Sequence, residues 1–306
     1  MKLSKLVQLG ALTFAVFLGS LNSAKAPALA ENFNDVSEGT RHYMAVNYLR
    51  EKGIISGYED NSFKPKQHIN RAEALKILTL ASGKTTNEEI EALSLPEDDL
   101  RPFTDTPLDS WYIKYLLFAK ENAIIGGYED GSFQPEKSIN LAETLKIYLE
   151  SLENLEYPNA AEFLFADTPL EEWYTKYTAF AGSRGLLMIN AANQIDPNQN
   201  MTRGYMAEII YRMEKFKEGY EFGRATYYFG IPDGGNTYTT AHKTLPFGTI
   251  VEATNLANGN TVQATVTDRG PYGPGRVLDL SKSAFTQLAP LSTGVVDIQY
   301  KVIHLP

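Results

Sequence analysis

Gly57-Tyr58-Glu59-Asp60-Asn61-Ser62-Phe63-Lys64-Pro65 returns seventy positions later as Gly127-Tyr128-Glu129-Asp130-Gly131-Ser132-Phe133-Gln134-Pro135. Each string runs into a helix-opening pattern, Ile69-Asn70-Arg71-Ala72-Glu73 and Ile139-Asn140-Leu141-Ala142-Glu143, with the Asn-to-Glu spacing of a capping box. Upstream, Phe33-Asn34-Asp35 and Phe103-Thr104-Asp105 repeat at the same offset, and Phe165-Ala166-Asp167 follows 62 positions after the second. Ile195, Pro197 and Met201 then fall on Phe133, Pro135 and Ile139 without a gap, and Trp173 falls on Trp111, where the first copy has Arg41. Three copies thus span 33–82, 103–152 and 165–216.

Each copy predicts a helix, a turn, an extended loop and a second helix. Asp35, Asp105 and Asp167 are expected in the cap region of the first helix. Glycines in 54–58 and 124–128 end that helix. Ala72, Leu75 and Leu78 return at helical spacing in the second. Phe33, Phe103 and Phe165 read as core plugs. The third copy keeps a cap at Thr202 but has Tyr205 at the Glu position, and Ala192-Asn193 predicts a degraded turn. One copy cannot bury its apolar face alone, so the three must pack together.

Phe-x-Asp, Trp, Gly-Tyr-x-Asp-x-x-Phe-x-Pro and Ile-Asn-Arg-Ala-Glu in this order resemble the S-layer homology (SLH) domain, over about half of the chain. The resemblance implies an all-α pseudo-threefold helical bundle that docks on secondary cell-wall polysaccharide. It places polysaccharide binding on Arg71 and Arg203, with Trp111 and Trp173 as core or groove residues. An Arg at a helix start sets a charged fork beside backbone N–H groups, which suits an anionic sugar. Leu141 replaces that Arg in the second copy, so one groove is expected to lack its clamp.

The chain has 306 residues, 43% hydrophobic and 21% charged, a globular composition with room for two or three domains. A net charge of -9 argues against nucleic acid as a partner. With no Cys, disulfides, thiolate metal sites and a Cys nucleophile are excluded, and four scattered His argue against a His-rich metal site. No cofactor and no metal are expected. Lys2 and Lys5, the apolar run from Leu9 to Leu21, and Ala28-Leu29-Ala30 read together as a signal peptide over 1–30. Export to the cell envelope follows, with no transmembrane segment left after cleavage. The expected division is 31–100, 101–162 and 163–220 for the repeats and 221–306 for a C-terminal domain.

From Gly223 the chain turns to Tyr-rich and β-branched segments broken by Gly, Asn and Pro. Thr249 to Asn255, Thr261 to Thr267 and Val295 to Ile303 are predicted strands, with Asn258-Gly259 a hairpin turn. Leu280 to Leu288 is predicted as a helix opened by Ser281, with Asp279 at its start. This part is near neutral, with six Lys/Arg against five Asp/Glu from 223 onward, so the acidic excess lies in the repeats.

Thr240-Ala241-His242-Lys243-Thr244-Leu245-Pro246-Phe247-Gly248-Thr249, then Asp268-Arg269-Gly270-Pro271-Tyr272, then Arg276-Val277-Leu278-Asp279-Leu280-Ser281 resemble the rare lipoprotein A family. The resemblance implies a small six-stranded double-psi β-barrel and lytic transglycosylase action on peptidoglycan glycan strands. It gives catalytic or substrate-contacting roles to Asp268 and His242. Cleaving a glycosidic bond needs an acid to protonate the leaving oxygen. A lytic enzyme then uses the sugar's own C6 hydroxyl in place of water. Asp268, ending an alternating strand at a Gly-Pro turn, is the acid best placed, and Arg269 and Lys243 are candidates to line a groove. The family's longer loop before the His, which carries a second acid, is shortened here. Asp233 is the one acid left in it and a candidate substrate contact. The alternative function is a peptidoglycan-binding, wall-loosening module on the same anchor.

Overall fold

The computed structural model describes residues 32–95, 101–190, 192–228, 238–273 and 275–306. The expected signal peptide and Asp233 lie outside them. The first copy holds α1 (Tyr43–Glu51) and α2 (Arg71–Ala81), followed by a short α3 (Asn87–Glu91). The second holds α4 (Ile113–Glu121) and α5 (Leu141–Ser151), and the third α6 (Thr175–Ser183) and α7 (Arg203–Lys217). Among the described residues no helix is long and apolar enough to cross a membrane.

Asn70 and Asn140 close the expected capping boxes with Glu73 and Glu143, and Thr202 caps α7. The three residues just ahead of these caps join in a ring. The Ile69 N–H donates to the Met201 carbonyl, Met201 to Ile139, and Ile139 back to Ile69. The first N–H of each second helix is likewise paired with a neighbouring copy: Arg71 to Lys137 O, Leu141 to Gln199 O, Arg203 to Gln67 O. Helix ends that would otherwise need water are therefore satisfied by the next copy, and each copy depends on the others.

Asp35, Asp105 and Asp167 do not cap the first helices. Their carboxylates accept from the backbone N–H groups of 63 and 64, 133 and 134, and 195 and 196. Lys64, Gln134 and Asp196 stand at positive φ there, and the paired bonds offset that backbone strain. The third turn is intact. Asn193 takes the left-handed conformation of Asn61 and Gly131, and Asn190 Oδ1 accepts from the N–H groups of Ala192 and Gln194. The three Phe are core residues, each seated on a glycine. A β-carbon at Gly57, Gly127 or Gly182 would fall 2.2, 2.3 or 2.5 Å from the ring of Phe33, Phe103 or Phe165.

The C-terminal region is a closed barrel of β1 (Glu221–Tyr228), β2 (Thr239–Ala241), β3 (Ile250–Asn255), β4 (Thr261–Asp268), β5 (Arg276–Ser281) and β6 (Val296–His304). The order is β1-β5-β2-β4-β3-β6, with β1/β5 and β2/β4 parallel and the other pairs antiparallel. Ala225, Ala253 and Ala264 alternate with Val251, Val262 and Val266 inside, small residues that suit a narrow barrel. One end is closed by α8 (Lys282–Leu288) through Ala284, Phe285 and Leu288. This helix starts two residues later than expected, because 276–281 is a strand. Asn255 and Asn258 both donate to the Leu288 carbonyl and tie the hairpin to that helix.

The barrel packs directly on the third copy. Tyr211 of α7 donates to Gln299 of β6 at 2.8 Å, and Phe222 and Leu256 join the helical core. Gly39 N donates to the Ala257 carbonyl. Arg41, standing where the other copies have Trp, lies 3.9 Å from Asp297.

Candidate functional site

Strand β4 alternates inward at Val262, Ala264 and Val266, so plain alternation would turn Asp268 inward too. A register shift against β2 intervenes: Thr240 pairs with Val266, but Ala241 pairs with Asp268. This bulge turns Asp268 to the outer face, and its side chain is exposed. On the other side Ala241 pairs with Asp279 of β5, and Asp279 with Thr226 of β1. Asp268, Ala241, Asp279 and Thr226 therefore form one transverse row. Strands lie about 4.8 Å apart, which sets the two aspartate backbones roughly 10 Å from one another. Ala241 and Gly270 leave little bulk between the two acids, since a β-carbon on Gly270 would sit 3.9 Å from that of Ala241.

Asp279 is not the helix-start residue of the sequence reading. Ser281 caps α8, accepting from Ala284 N, while Asp279 Oδ1 accepts from the Thr226 hydroxyl at 2.6 Å. Asp268 Oδ1 accepts from the N–H of Arg269 at 2.7 Å. The guanidinium of Arg269 donates to the Leu245 carbonyl at 2.8 Å and stacks 3.8 Å above the ring centre of Phe247. Phe247 and Tyr272, 55% and 82% exposed, give this end of the barrel two open aromatic faces of the kind a sugar ring packs on. Lys243 is exposed beside them.

His242 is buried and points away from the Asp268 carboxylate, although its backbone N–H donates to the Asp268 carbonyl. Its Nδ1 accepts from the N–H groups of Thr244 and Leu245, so the ring proton sits on Nε2. That nitrogen donates to Tyr300 Oη at 3.0 Å, and Tyr300 donates to Glu221 Oε2 at 2.5 Å. Burial pushes the His242 pKa down, Arg269 and Lys243 push it the same way, and Glu221 opposes them. Burial and the Glu221 carboxylate raise that of Tyr300 well above its ordinary value. His242 thus fixes the 242–245 loop to which Arg269 is bonded. Sequence reading missed Tyr300 and Glu221, which lie far from the motif strings. It also missed the placement of Asp279, which only the strand register reveals.

Because folding depresses the His242 pKa, the unfolded chain takes up its proton first as pH falls. Stability from this residue is complete above the ordinary value of 6.5 and declines below it. Hydrogen exchange over 239–245, corrected for intrinsic rates, is expected to lose protection between pH 7 and pH 5. His242→Gln should remove that dependence, and an equal dependence in the variant would exclude the neutral buried ring as its source.

In the repeats, Arg71 and Arg203 are 6% and 8% exposed. Arg71 Nε donates to Phe133 O, its guanidinium stacks on Tyr128, and Nη1 lies 3.5 Å from Glu143. Arg203 donates to Phe63 O and Ser56 O and stacks on Tyr58. Each arginine grips the Gly-Tyr loop of another copy, and the N–H groups beside it are already paired. Leu141 is fully buried, and its aligned loop has Asn190 in place of the Tyr, so clamp and aromatic are lost together. Trp111 and Trp173 are 55% and 51% exposed, each edge-on to the following Tyr.

Residues 234–300 match the family described as lytic transglycolase, and residues 32–75 and 102–145 match the S-layer homology domain. A surface-layer 125 kDa protein of Lysinibacillus sphaericus is 29% identical over 65% of this chain and 16% of its own. A probable endolytic peptidoglycan transglycosylase RlpA of Treponema pallidum is 45% identical over 26% of this chain and 27% of its own. Among solved structures, an expansin of Clavibacter michiganensis is similar at 26% identity, covering 28% of this chain and 52% of that one, with a TM-score of 0.24. The chain spans 16% and 27% of the lengths of the two curated relatives. The repeats mark a protein of the cell envelope, and the chain joins S-layer homology domains to a barrel of the lytic transglycolase family.

Proposed function

We propose that this is an exported, wall-anchored lytic transglycosylase, with a signal peptide at 1–30, a pseudo-threefold anchor built from repeats at 31–100, 101–162 and 163–220, and a catalytic barrel at 221–306. The observation that carries the reading is the pair of aspartates on one outer row of the barrel, with open aromatic faces at the same end. Asp268, the more exposed, protonates the glycosidic oxygen as the bond to C1 breaks. The C6 hydroxyl of the same sugar then attacks C1 and gives its proton to the Asp268 carboxylate, restoring the acid and leaving a 1,6-anhydro end. No water is consumed. Asp279, held by Thr226, is the second carboxylate of the row and supports the positive charge that develops at C1. Lys243 and Arg269 line the groove, and Asp233 is a further candidate contact.

The anchor docks on secondary cell-wall polysaccharide. In this reading Arg71 and Arg203 act by holding the Tyr128 and Tyr58 loops in shape, and Trp111 and Trp173 offer the exposed faces.

A second reading, a glycan-binding module that loosens the wall without cutting, is favoured by one observation: His242 is committed to Tyr300 and Glu221 and does not reach the Asp268 carboxylate. Incubating the full chain with glycan strands freed of stem peptides, followed by mass spectrometry, separates the two. New anhydro-muramic ends are the expected result. Binding without new ends would transfer the conclusion to the second reading.

A further inference from the structure

A cleft of about 870 Å³ lies between the third copy and the barrel, away from the Arg71 and Arg203 loops. Its size is that of an ordinary small-ligand or oligosaccharide site. Its walls come from the segment after α6, from one side of α7, and from the starts of β1 and β5. Six cations line it: Arg41, Arg184, Arg212, Arg224, Lys243 and Arg276. Three acids accompany them, Asp196, Glu221 and Asp297, in a chain whose net charge is -9. The cleft therefore concentrates positive charge against the trend of the whole molecule.

Part of that charge is internally matched. Arg41 and Arg212 share the buried Glu208, which lies outside the cleft lining, and Glu221 accepts from Tyr300. Arg184, Lys243 and Arg276 are different. Among the described residues no carboxylate lies within ion-pair distance of any of them. Arg184 is held in place by stacking on Phe180 and Phe216 and donates to Ser183. A guanidinium fixed by aromatic rings on a cleft wall, with no carboxylate in reach, is arranged for an oxyanion brought from outside.

Position adds a second argument. Lys243 lies on both the cleft and the barrel end that carries Asp268, and Arg224 pairs in register with Arg276, two residues from Thr226 on β1 and three from Asp279 on β5. A strand laid along the Asp268–Asp279 row would extend its neighbouring sugars into the cleft. We propose that the cleft between the third repeat and the barrel is a glycan subsite selective for a sugar bearing a carboxylate, read by Arg184, Arg276 and Lys243. It rests on the barrel binding glycan and does not require that the barrel cut it. The carboxylate could come from the lactyl ether of muramic acid or from an acidic wall polysaccharide.

The test is calorimetric titration of the full chain with three tetrasaccharides: a peptide-free N-acetylglucosamine–N-acetylmuramic acid form, the same compound with its carboxyls reduced to alcohols, and a uronic-acid form. The muramic form is expected to bind about tenfold more tightly than the reduced one, the size of one charge-assisted contact. Arg276→Gln and Arg184→Gln should each erase most of that advantage, and added salt should shrink it. Arg276 is exposed, so its variant carries the test if loss of Arg184 stacking disturbs folding, with thermal melts as the check. A uronic-acid form that gains equally assigns the site to acidic polysaccharide in general; one that does not assigns it to muramic acid. Equal affinity for the muramic and reduced forms overturns the subsite while the glycan reading of the barrel stands. Failure of both to bind overturns the two together.

Discussion

Asp268→Asn is expected to slow release of anhydro-muramic ends by about 10²–10⁴-fold, the usual cost of removing a general acid. The fold should survive. The Asp268 side chain accepts one bond, from Arg269 N, which an amide oxygen can also accept, and its carbonyl still receives the His242 N–H. Asp279→Asn gives the companion measurement, because the Thr226 hydroxyl can still donate to the amide oxygen. A supporting charge two strands away should matter less than the acid itself, so the Asp279 loss is expected to be the smaller. Melting temperatures within a degree or two of wild type would show that the losses are chemical. An Asp268→Asn protein that releases ends at the wild-type rate would remove this aspartate from the reaction. A larger loss at Asp279 than at Asp268 would exchange the two roles.

The repeats were legible because their elements are local. A capping box and a left-handed turn each occupy a few adjacent residues, so Asn70 and Asn61 announce themselves in the string, and Phe33 does so by recurring as Phe103 and Phe165. What ties residues distant in the string, within a copy or between copies, was not legible. Nothing local says that Asp35 braces 63 and 64, or that Arg203 reaches Ser56 in another copy. The third turn shows the same limit from the other side. It lacks the aspartate of the first two turns, yet Asn190 makes equivalent bonds from a different position.

In the barrel, β3, β4 and β6 follow from alternation, while β2 has three residues and β5 runs into a helix, so neither carries a pattern long enough to read. The candidate site runs across those two strands from Asp268 at the end of β4 to Thr226 on β1. Asp268 was legible as a polar residue at a turn. Its neighbourhood with Asp279 depends on strand order and on one bulge, both tertiary facts. His242 is legible as a motif residue, but the string does not show what its side chain bonds to. Its actual partner, Tyr300, is 58 residues away on the last strand.

The largest expected loss of stability belongs to Glu208, which is 4% exposed on α7. His42 Nδ1 lies 2.9 Å from its carboxylate, Arg41 Nε 3.3 Å and Arg212 Nη2 3.6 Å. Arg41 and His42 belong to the first copy and Arg212 to the third, so one buried acid holds two copies together beside the barrel. Removing one partner of a buried ionic cluster leaves the rest uncompensated, and Glu208→Ala is expected to cost about 3–5 kcal/mol. Glu208→Gln keeps the volume and one acceptor and should cost less. Burial alone would raise the Glu208 pKa, but the His42 bond and the charges of Arg212 and Arg41 outweigh it and hold the group below its ordinary 4.5. A depressed carboxylate adds stability that is complete above the unfolded value and is lost as pH falls through the folded one. Urea unfolding read by tryptophan fluorescence follows the repeats, because both tryptophans, Trp111 and Trp173, lie in them and none lies in the barrel, and comparison with Glu208→Gln separates this contribution. Wild type should lose stability as pH falls below about 4.5, with a steeper slope than Glu208→Gln. Matching slopes would mean that the cluster is not what ties the first copy to the third.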